Sequence, residues 1–287
     1  MPKENDILET TLSLAESSYP EAYRYLLDAY QANSKALGPQ TFYFLACLAG
    51  GAGMPEQALA WLRSAITDHA WWYRPEVLTD DDLAPLKARP EFLALKSLSD
   101  QRYADAVSRS QALFSWKGKH ADSLFLAVHG NTQNGQTARA DWEPILGKNN
   151  SWQLEAIQSA EPDGYGTYRW RYDGASYAAV AQAMEAMQSQ GYQRIVCGGF
   201  SAGCDMLILQ SPWIPLLHDH AAEVVQAIRQ KQIRLAILCG SEDEDCLPLA
   251  RHLHAAAAQA GLDETLHIQK GTRHQFPAKP YALADLL

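Results

Sequence analysis

The sequence predicts an α/β protein in which a small all-helical region precedes a mostly parallel sheet covered by helices. About the first 105 residues show helical periodicity and few runs of β-branched residues. From about residue 108, apolar runs of strand length alternate with helical stretches. Hydrophobic residues make up 47% and charged residues 20% of the 287, which is ordinary globular usage and allows a real core. We therefore expect two regions, residues 1–105 and 106–287.

Charge and hydropathy exclude two classes of partner. The chain has 24 Lys and Arg against 33 Asp and Glu, a formal net charge of -9. This is the wrong sign for a surface that neutralises phosphates, so no nucleic-acid partner is expected. No stretch approaches the roughly 18 uncharged apolar residues that span a bilayer, and the first residues lack an apolar run behind a basic start. We expect an unsecreted protein without a membrane span.

The cysteines favour a reducing compartment. There are five, an odd number, and none has C-x-x-C spacing. Reduced, buried thiols in the cytoplasm are the simplest interpretation. The histidine pairs 218/220 and 252/254 alternate instead of recurring at i and i+4, so they predict no metal site.

The helical region begins with an amphipathic segment. Residues 21–31 place Tyr25, Leu26 and Tyr30 on one face, and Gly38-Pro39 then breaks the pattern. Two further helical segments are predicted at 41–48 and 55–67, on either side of a glycine-rich turn, and Pro55 suits a first helical turn. Alternation of helix and turn is therefore the expected organisation.

A repeat-like pattern of small and large residues runs through the second pair of these helices. It is formed by Phe42, Leu45, Ala46, Ala49, Ala58, Leu62 and Ala65. This spacing resembles a tetratricopeptide repeat hairpin, and residues 78–98 are similar to the closing segment of such repeats. The resemblance implies either a helical packing module or a groove for a protein partner. Trp71, Trp72 and Tyr73 are expected to pack in a core or between domains rather than to bind a ligand.

The α/β region is predicted from alternating elements. Strands are expected at residues 123–128, 152–157, 194–197, 233–239 and 265–268. Helices with an apolar stripe are expected at 176–190, 220–231 and 248–260. Such alternation implies a mostly parallel sheet with right-handed crossovers. Functional residues should then lie at the carboxyl ends of the strands.

One such end carries the pattern G-x-S-x-G. Gly199-Phe200-Ser201-Ala202-Gly203 follows the third predicted strand. A sharp strand-to-helix turn holds a nucleophile on strained backbone and projects its oxygen above the sheet. The turn needs neighbours without bulky side chains, and Gly198, Gly199 and Gly203 meet that need.

A base and an acid follow in order. A serine hydroxyl is a poor nucleophile unless a base takes its proton and an acid orients that base. Asp243 and His274 each lie just past a later predicted strand. We take Ser201, Asp243 and His274 as the candidate catalytic residues, with Glu242, Glu244 or Asp245 as alternatives for the acid.

The turn after the first strand reads His129-Gly130-Asn131-Thr132-Gln133. It resembles the H-G turn of the α/β-hydrolase superfamily, in the HGxTQ form of some polyester depolymerases and feruloyl esterases. Residues 120–280 as a whole resemble α/β-hydrolase-fold serine hydrolases of the carboxylesterase, lysophospholipase and dienelactone hydrolase type. We therefore expect a minimal α/β-hydrolase behind a tetratricopeptide-like region.

That resemblance implies an activity and roles for named residues. Small or medium carboxylic esters would be cleaved through an acyl-Ser201 intermediate, with His274 as base and then acid, and Asp243 fixing its tautomer. The backbone N–H groups of Asn131 and Ala202 would form the oxyanion hole. The family needs neither metal nor cofactor.

Two features leave alternatives open. Residues 204–219 are too short for the helix and strand that should follow the nucleophile, so either 205–210 form a short helix or 206–209 belong to a strand. Trp170, Tyr172 and Trp213 either line a substrate pocket or pack. The competing interpretation is a catalytically impaired hydrolase fold that serves as a scaffold for protein contact.

Overall fold

The structure is a computed structural model that describes residues 4–33, 37–114, 116, 118–146, 152–208, 217–230 and 234–276. The chain divides into two compact units, one of residues 1–110 with 162–167, the other of residues 111–161 with 168–287. Residues 162–167, which the sequence-based division placed in the second region, belong to the first unit. No helix within the described ranges has both the length and the apolar character needed to cross a membrane.

The first unit is helical. Its α-helices are α1 (Glu4–Ala15), α2 (Tyr19–Asn33), α3 (Pro39–Gly51), α4 (Pro55–Arg63) and α5 (Pro90–Arg109). A π-helical turn (Ser64–Asp68) extends α4, and two 3₁₀ segments (Val77–Thr79 and Asp81–Leu86) precede α5. A proline occupies the first turn of α3, α4 and α5, where its missing N–H costs no helical hydrogen bond. Helix α1 was not predicted from the sequence.

The core of this unit is aromatic at its centre. The buried ring of Phe42 makes edge contacts with Tyr30, Trp61 and Trp71 at centroid distances of 5.3, 5.3 and 5.1 Å. Aromatic pairs at such angles add about 0.5–1.5 kcal/mol each beyond the area they bury. Trp71 and Tyr73 pack against the same core, as the sequence predicted. The tetratricopeptide resemblance itself stays a prediction.

Residues 162–167 are bound to this unit through the backbone. Tyr73 forms an antiparallel bridge with Gly164, and the N–H of Tyr165 donates to the carbonyl of Trp72 at 3.0 Å. The guanidinium Nε of Arg74 lies 3.0 Å from a carboxylate oxygen of Asp163. These contacts explain why six residues from the middle of the chain group with its first 110.

The second unit contains parallel sheet. Strands β1 (Leu113–Phe114), β2 (Ser123–Val128), β3 (Trp152–Gln158) and β6 (Arg194–Gly199) form a sheet in the order β1-β3-β2-β6. Strand β2 is parallel to both neighbours, and β1 is antiparallel to β3. Strands β7 (Leu235–Gly240) and β8 (Glu264–Gln269) form a separate parallel pair. The short strands β4 (Glu161–Gly164) and β5 (Thr167–Arg169), which include residues 162–164 and 167 of the first unit, pair with each other.

Within the described residues, the helices of this unit are α6 (Gly135–Leu146), α7 (Gly174–Gln188), α8 (Ala202–Ile208), α9 (Leu217–Gln230) and α10 (Cys246–Gln259). The two faces of β2 bury different helices because side chains alternate along a strand. Leu126 and Val128 pack with residues of α7 and α8, whereas Phe125 packs with α6. The fold class predicted from the sequence, helical region followed by α/β, is confirmed.

The segment after Ser201 settles one of the open alternatives. Helix α8 begins at Ala202 and runs to Ile208, seven residues. The short-helix alternative is therefore correct, with a start three residues earlier than residue 205. Residues 209–216 lie outside the described part of the chain.

Candidate active site

The turn between β6 and α8 holds Ser201 in the left-handed region, with φ at 50°. A non-glycine residue there is strained, and such strain is typical of a nucleophile at a strand-to-helix turn. The N–H of Gly203 donates to the carbonyl of Phe200, and that of Cys204 to the carbonyl of Ser201, both at 2.8 Å. These two bonds close the turn around the serine.

Two glycines make this turn sterically feasible. A Cβ on Gly199 would lie 2.4 Å from the carbonyl oxygen of Gly203, and one on Gly203 would lie 2.4 Å from that of Val128. Both distances are far inside van der Waals contact with backbone that cannot swing away. The start of α8 thus packs directly against the end of β2, which lies beside β6.

The structure brings the three predicted catalytic side chains into one hydrogen-bonded chain. The Oγ of Ser201 lies 2.9 Å from Nε2 of His274, and Nδ1 of His274 lies 2.8 Å from Oδ2 of Asp243. A carboxylate only accepts, so Nδ1 carries the proton and Nε2 accepts from the serine hydroxyl. The Asp243 side chain is 8% exposed and that of His274 39% exposed.

Packing determines which of four neighbouring acidic residues lies beside the His274 imidazole. Asp243 is buried, whereas Glu242, Glu244 and Asp245 are exposed. The second oxygen of Asp243, Oδ1, accepts from the backbone N–H of Cys246 at 3.0 Å. Glu242 instead lies 3.8 Å from the Nε of Arg273. Asp243 is the acidic residue of this group that reaches the imidazole.

A close backbone approach joins the loops that carry Asp243 and His274. A Cβ on Gly240, the last residue of β7, would lie 2.1 Å from the carbonyl oxygen of Thr272. The N–H of Glu242 donates to that same carbonyl at 2.9 Å. The loop after β7 and the loop after β8 therefore meet because residue 240 has no side chain.

Aromatic rings orient the imidazole. Phe200 stacks on His274 with centroids 5.4 Å apart and planes 30° apart, and Phe276 contacts Phe200 edge-on at 5.8 Å. This role of Phe200 was not predicted from the sequence. Its position directly before the serine was the available signal, but a ring contact with a residue 74 positions later is not encoded locally.

Cys246 also lies beside the imidazole. Its Sγ is 3.4 Å from Nδ1 of His274. Burial, and then the charge of Asp243, raise the pKa of the Cys246 thiol to about 12. The thiol is therefore uncharged at neutral pH and leaves the His274–Asp243 hydrogen bond in place.

The loop after β2 is held by a fully buried histidine. Nδ1 of His129 pairs with the carbonyl of Gly130 at 2.7 Å, and Nε2 accepts from the N–H of Ser159 at 3.1 Å. Burial lowers the pKa of His129 to about 4, so the ring is neutral. The side-chain oxygen of Gln133 accepts from the N–H of Gly130 at 2.8 Å. His129 and Gln133 thus hold the turn through their hydrogen bonds.

Trp170 supports that same loop. Its indole N–H donates to the carbonyl of His129 at 2.7 Å, its backbone N–H donates to Oδ1 of Asn131 at 2.8 Å, and its ring stacks on His129. Only 3% of Trp170 is exposed. This corrects the expectation that Trp170 binds substrate, because both of its N–H groups donate to the loop and its side chain is buried in a core cluster with Leu126 and Val128.

The other two aromatic candidates differ. Tyr172 is 43% exposed, and its hydroxyl donates to Oδ2 of Asp205 on α8 at 2.7 Å. Burial of the hydroxyl and the charge of Asp205 raise its pKa above the usual value. Trp213 lies outside the described residues.

The two predicted oxyanion donors lie on adjoining segments. Ala202 is the first residue of α8, so its N–H has no acceptor within the helix. A Cβ on Gly130 would lie 3.1 Å from the carbonyl oxygen of Phe200, which brings the loop of Asn131 against the Ser201 turn. The arrangement can hold a nucleophile, a base, an orienting acid and neighbouring backbone donors.

Comparisons with known proteins agree with this architecture. Residues 3–107 match a family model described as "A/B hydrolase-like, N-terminal domain". An uncharacterized protein from Bacillus cereus ATCC 10987 has a crystal structure with a TM-score of 0.51 and 22% identity, covering 99% of this chain and 97% of its own. The family model thus covers the helical first unit, and the similarity to this structure is one of fold over the whole chain.

Two crystal structures that carry an enzyme name have lower TM-scores. The Bacillus cereus carboxylesterase is 15% identical, with a TM-score of 0.43, and covers 65% of this chain and 97% of its own. Zea mays acyl-protein thioesterase 2 is 14% identical, with a TM-score of 0.42, and covers 62% of this chain and 97% of its own. None of the curated proteins compared with the chain matches it.

Proposed function

We propose that the protein is a serine hydrolase that cleaves small or medium carboxylic esters through an acyl-Ser201 intermediate. One observation carries this proposal: Ser201, His274 and Asp243 are linked by hydrogen bonds of 2.9 and 2.8 Å, with the serine on strained backbone. The same three residue types in this geometry activate serine in unrelated folds.

In the proposed reaction, Nε2 of His274 takes the hydroxyl proton as Oγ of Ser201 attacks the ester carbonyl. The N–H groups of Asn131 and Ala202 stabilise the oxyanion, and His274 then gives the proton to the departing alcohol. Water attacks the acyl-enzyme with His274 again as base, which releases the acid and restores Ser201. Asp243 stays ionised and keeps the proton of the imidazole on Nδ1.

We propose Tyr172 as one wall of the acyl pocket. Its ring is partly exposed, and its hydroxyl is fixed to Asp205, four residues beyond the nucleophile on α8. A rigid, half-exposed ring of this kind favours apolar acyl groups. For Trp213 the pocket role stays a prediction.

Labelling with a fluorophosphonate tests the proposal, because the probe forms a covalent bond only with an activated serine. Folded wild-type protein is expected to be labelled, and Ser201→Ala is expected to remove the label. Ser189→Ala, an exposed serine at the end of α7, is the matched control and should keep it. Unlabelled wild-type protein would contradict the proposal and favour the alternative, a scaffold for protein contact.

Two further expectations stay proposals. All five cysteines are free of disulfide bonds, which supports the cytoplasm as the location. The helices of the first unit, with their tetratricopeptide-like pattern, support a protein partner there. Capture of a defined partner by residues 1–110, in a still-folded form, would test the second.

A further inference from the structure

The side chains around Nδ1 of His274 include one that the proposed reaction does not use. Sγ of Cys246 lies 3.4 Å from this nitrogen, and Oδ2 of Asp243 lies 2.8 Å from it. The three ligand atoms all lie within 4.8 Å of one another. A thiol, an imidazole and a carboxylate thus converge on one point.

Two separate segments supply these groups. Asp243 and Cys246 lie at the start of α10, where the N–H of Cys246 donates to Oδ1 of Asp243 and the N–H of Leu247 to the carbonyl of Asp243. His274 comes from the loop after β8. The first two ligands are therefore fixed relative to each other by a helical turn, and the third is set by the packing of Gly240 against Thr272.

We propose that Cys246, His274 and Asp243 form a site for a thiophilic divalent cation, Zn²⁺, and that the bound ion inhibits hydrolysis. The inhibitory part rests on the proposed function, whereas the site itself does not. Thiolate sulfur, imidazole nitrogen and carboxylate oxygen are the three ligand types that zinc takes in proteins, and water completes a four-coordinate ion. The ion is an inhibitor here and no cofactor of the reaction.

The ligand spacing is close to what zinc requires. Tetrahedral zinc at ordinary bond lengths separates nitrogen from oxygen by about 3.3 Å and nitrogen from sulfur by about 3.6 Å. The corresponding distances are 2.8 and 3.4 Å. The ion would take the place of the proton in the hydrogen bond between Nδ1 and Oδ2, with a side-chain shift of about half an ångström.

Zinc binding would inhibit hydrolysis because it changes which nitrogen of His274 carries the proton. Zinc uses the lone pair of Nδ1, so the proton of this nitrogen leaves and the neutral imidazole carries its proton on Nε2 instead. The Cys246 thiol becomes a thiolate and gives its proton to solvent, so one proton is released for each ion bound. With a hydrogen on Nε2, His274 donates to Ser201 and has no lone pair there to take the hydroxyl proton.

A second cluster has ligand atoms at similar spacing and is less suited to the ion. It consists of Cys47, Asp80 and Asp82 in the first unit. The carboxylate of Asp80 accepts from the hydroxyl of Tyr43 and that of Asp82 from the hydroxyl of Tyr19, both at 2.7 Å. It offers no imidazole. This cluster is the internal control for the assignment.

Cobalt(II) tests the site without any enzymatic assay. Co²⁺ substitutes for Zn²⁺ and shows a thiolate-to-metal charge-transfer band when cysteine is a ligand. The full-length wild-type chain is expected to show the band and to lose it on addition of Zn²⁺. Cys246→Ala should abolish it, whereas Cys239→Ala, a buried thiol at the end of β7, should retain it. A band that survives in Cys246→Ala, that is lost instead in Cys47→Ala, or that is absent from the wild type overturns the site.

Inhibition is measured on the same proteins as the ratio of ester hydrolysis with and without Zn²⁺. We expect chelation to restore wild-type activity, and the Zn²⁺ concentration for half inhibition to rise about tenfold or more in Cys246→Ala. Bound zinc that leaves hydrolysis unchanged would overturn the inhibitory role. Wild-type protein that neither hydrolyses esters nor reacts with the fluorophosphonate in the absence of Zn²⁺ refutes the proposed function, while the cobalt band still decides the site.

Discussion

The imidazole of His274 is constrained on each side that matters for proton transfer. Asp243 holds one ring nitrogen, Ser201 meets the other, and Phe200 covers a face of the ring. Such constraint keeps Nε2 of His274 within hydrogen-bond reach of the Ser201 hydroxyl and limits rotation of the ring. Changes to single residues around the ring should therefore act on turnover more than on stability.

Asp243→Asn is expected to reduce kcat about 10³- to 10⁴-fold, because a neutral amide no longer holds the proton on Nδ1. Asp245→Asn, two residues along and exposed, should have little effect. Hydrolysis of p-nitrophenyl butyrate by the two variants measures the difference. Equal or reversed losses would assign the acid to Asp245.

His129 should make stability depend on pH. Its pKa is lowered from 6.5 to about 4 by burial, so the unfolded chain binds more protons between these values. The contribution of His129 to the free energy of unfolding is therefore fully present above about pH 6.5. As the pH falls toward 4, the free energy of unfolding decreases by about 3 kcal/mol. Urea unfolding at pH 7 and 4.5 should show a smaller loss for His129→Gln than for the wild type. The same pH dependence in both proteins would contradict this account.

Between elements, glycines decide how closely backbones approach. Gly203 lets α8 touch the end of β2, and Gly240 lets the loops after β7 and β8 meet. At these junctions the neighbours are carbonyl oxygens of strands and loops, which cannot rotate away as a side chain would. The positions of Ser201, Asp243 and His274 therefore depend on backbone packing.

Gly203→Ala is expected to lower the free energy of unfolding by about 2 kcal/mol or more and to reduce activity, because its Cβ would overlap the carbonyl oxygens of Val128 and His129. Gly174→Ala is the matched control. It lies at the start of α7 with no atom within 4 Å of the added Cβ, and should be neutral or slightly stabilising. Denaturant unfolding of both variants measures this. Equal stabilities would show that α8 adjusts freely.

Strands with a long apolar run were predictable, and elements with weaker patterns were not. The sequence located β2, β3, β6 and β8 to within two residues, because each contains an apolar run of strand length. Burial alone does not explain this, since β2 and β3 are buried over several positions, β6 at one and β8 at none. It missed α6, although Asn134 carries a recognisable capping signal and accepts from the N–H of Thr137 at 2.8 Å. It also missed β1, which is two residues long and exists only through its pairing with β3.

At the scale of the whole chain, the two units are not two continuous segments. Residues 162–167 interrupt the sequence of the second unit and belong to the first. They form backbone contacts and an ion pair with residues 72–74. A single boundary in the sequence cannot assign these six residues to the first unit. A deletion at residue 110 consequently removes partners from a segment more than 50 residues away.

In a truncated chain of residues 111–287, we expect the segment 162–167 to be less stably folded. Without Trp72, Tyr73 and Arg74, the segment 162–167 loses its bridge, its backbone hydrogen bond and its ion pair. Limited trypsin digestion with mass spectrometry is expected to cut at Arg169 or Arg171 sooner than in the full-length protein. Full-length Arg74→Ala, which removes the ion pair with Asp163 and leaves the backbone bridge and hydrogen bond, should show an intermediate rate. Unchanged cleavage would mean that the segment is held by the second unit alone.

The sequence by itself determined the fold class, the long strands β2, β3, β6, β7 and β8, and the candidate set Ser201, Asp243 and His274, since periodicity and a strand-to-turn pattern are properties of short stretches. Only the tertiary structure decided which of four neighbouring acids faces the imidazole, that Trp170 supports a loop, and that Cys246 lies beside His274. Those facts are distances between atoms of residues far apart in the chain, as far as 41 positions for Trp170 and His129. Such distances are fixed by how backbones pack, and no local pattern records them.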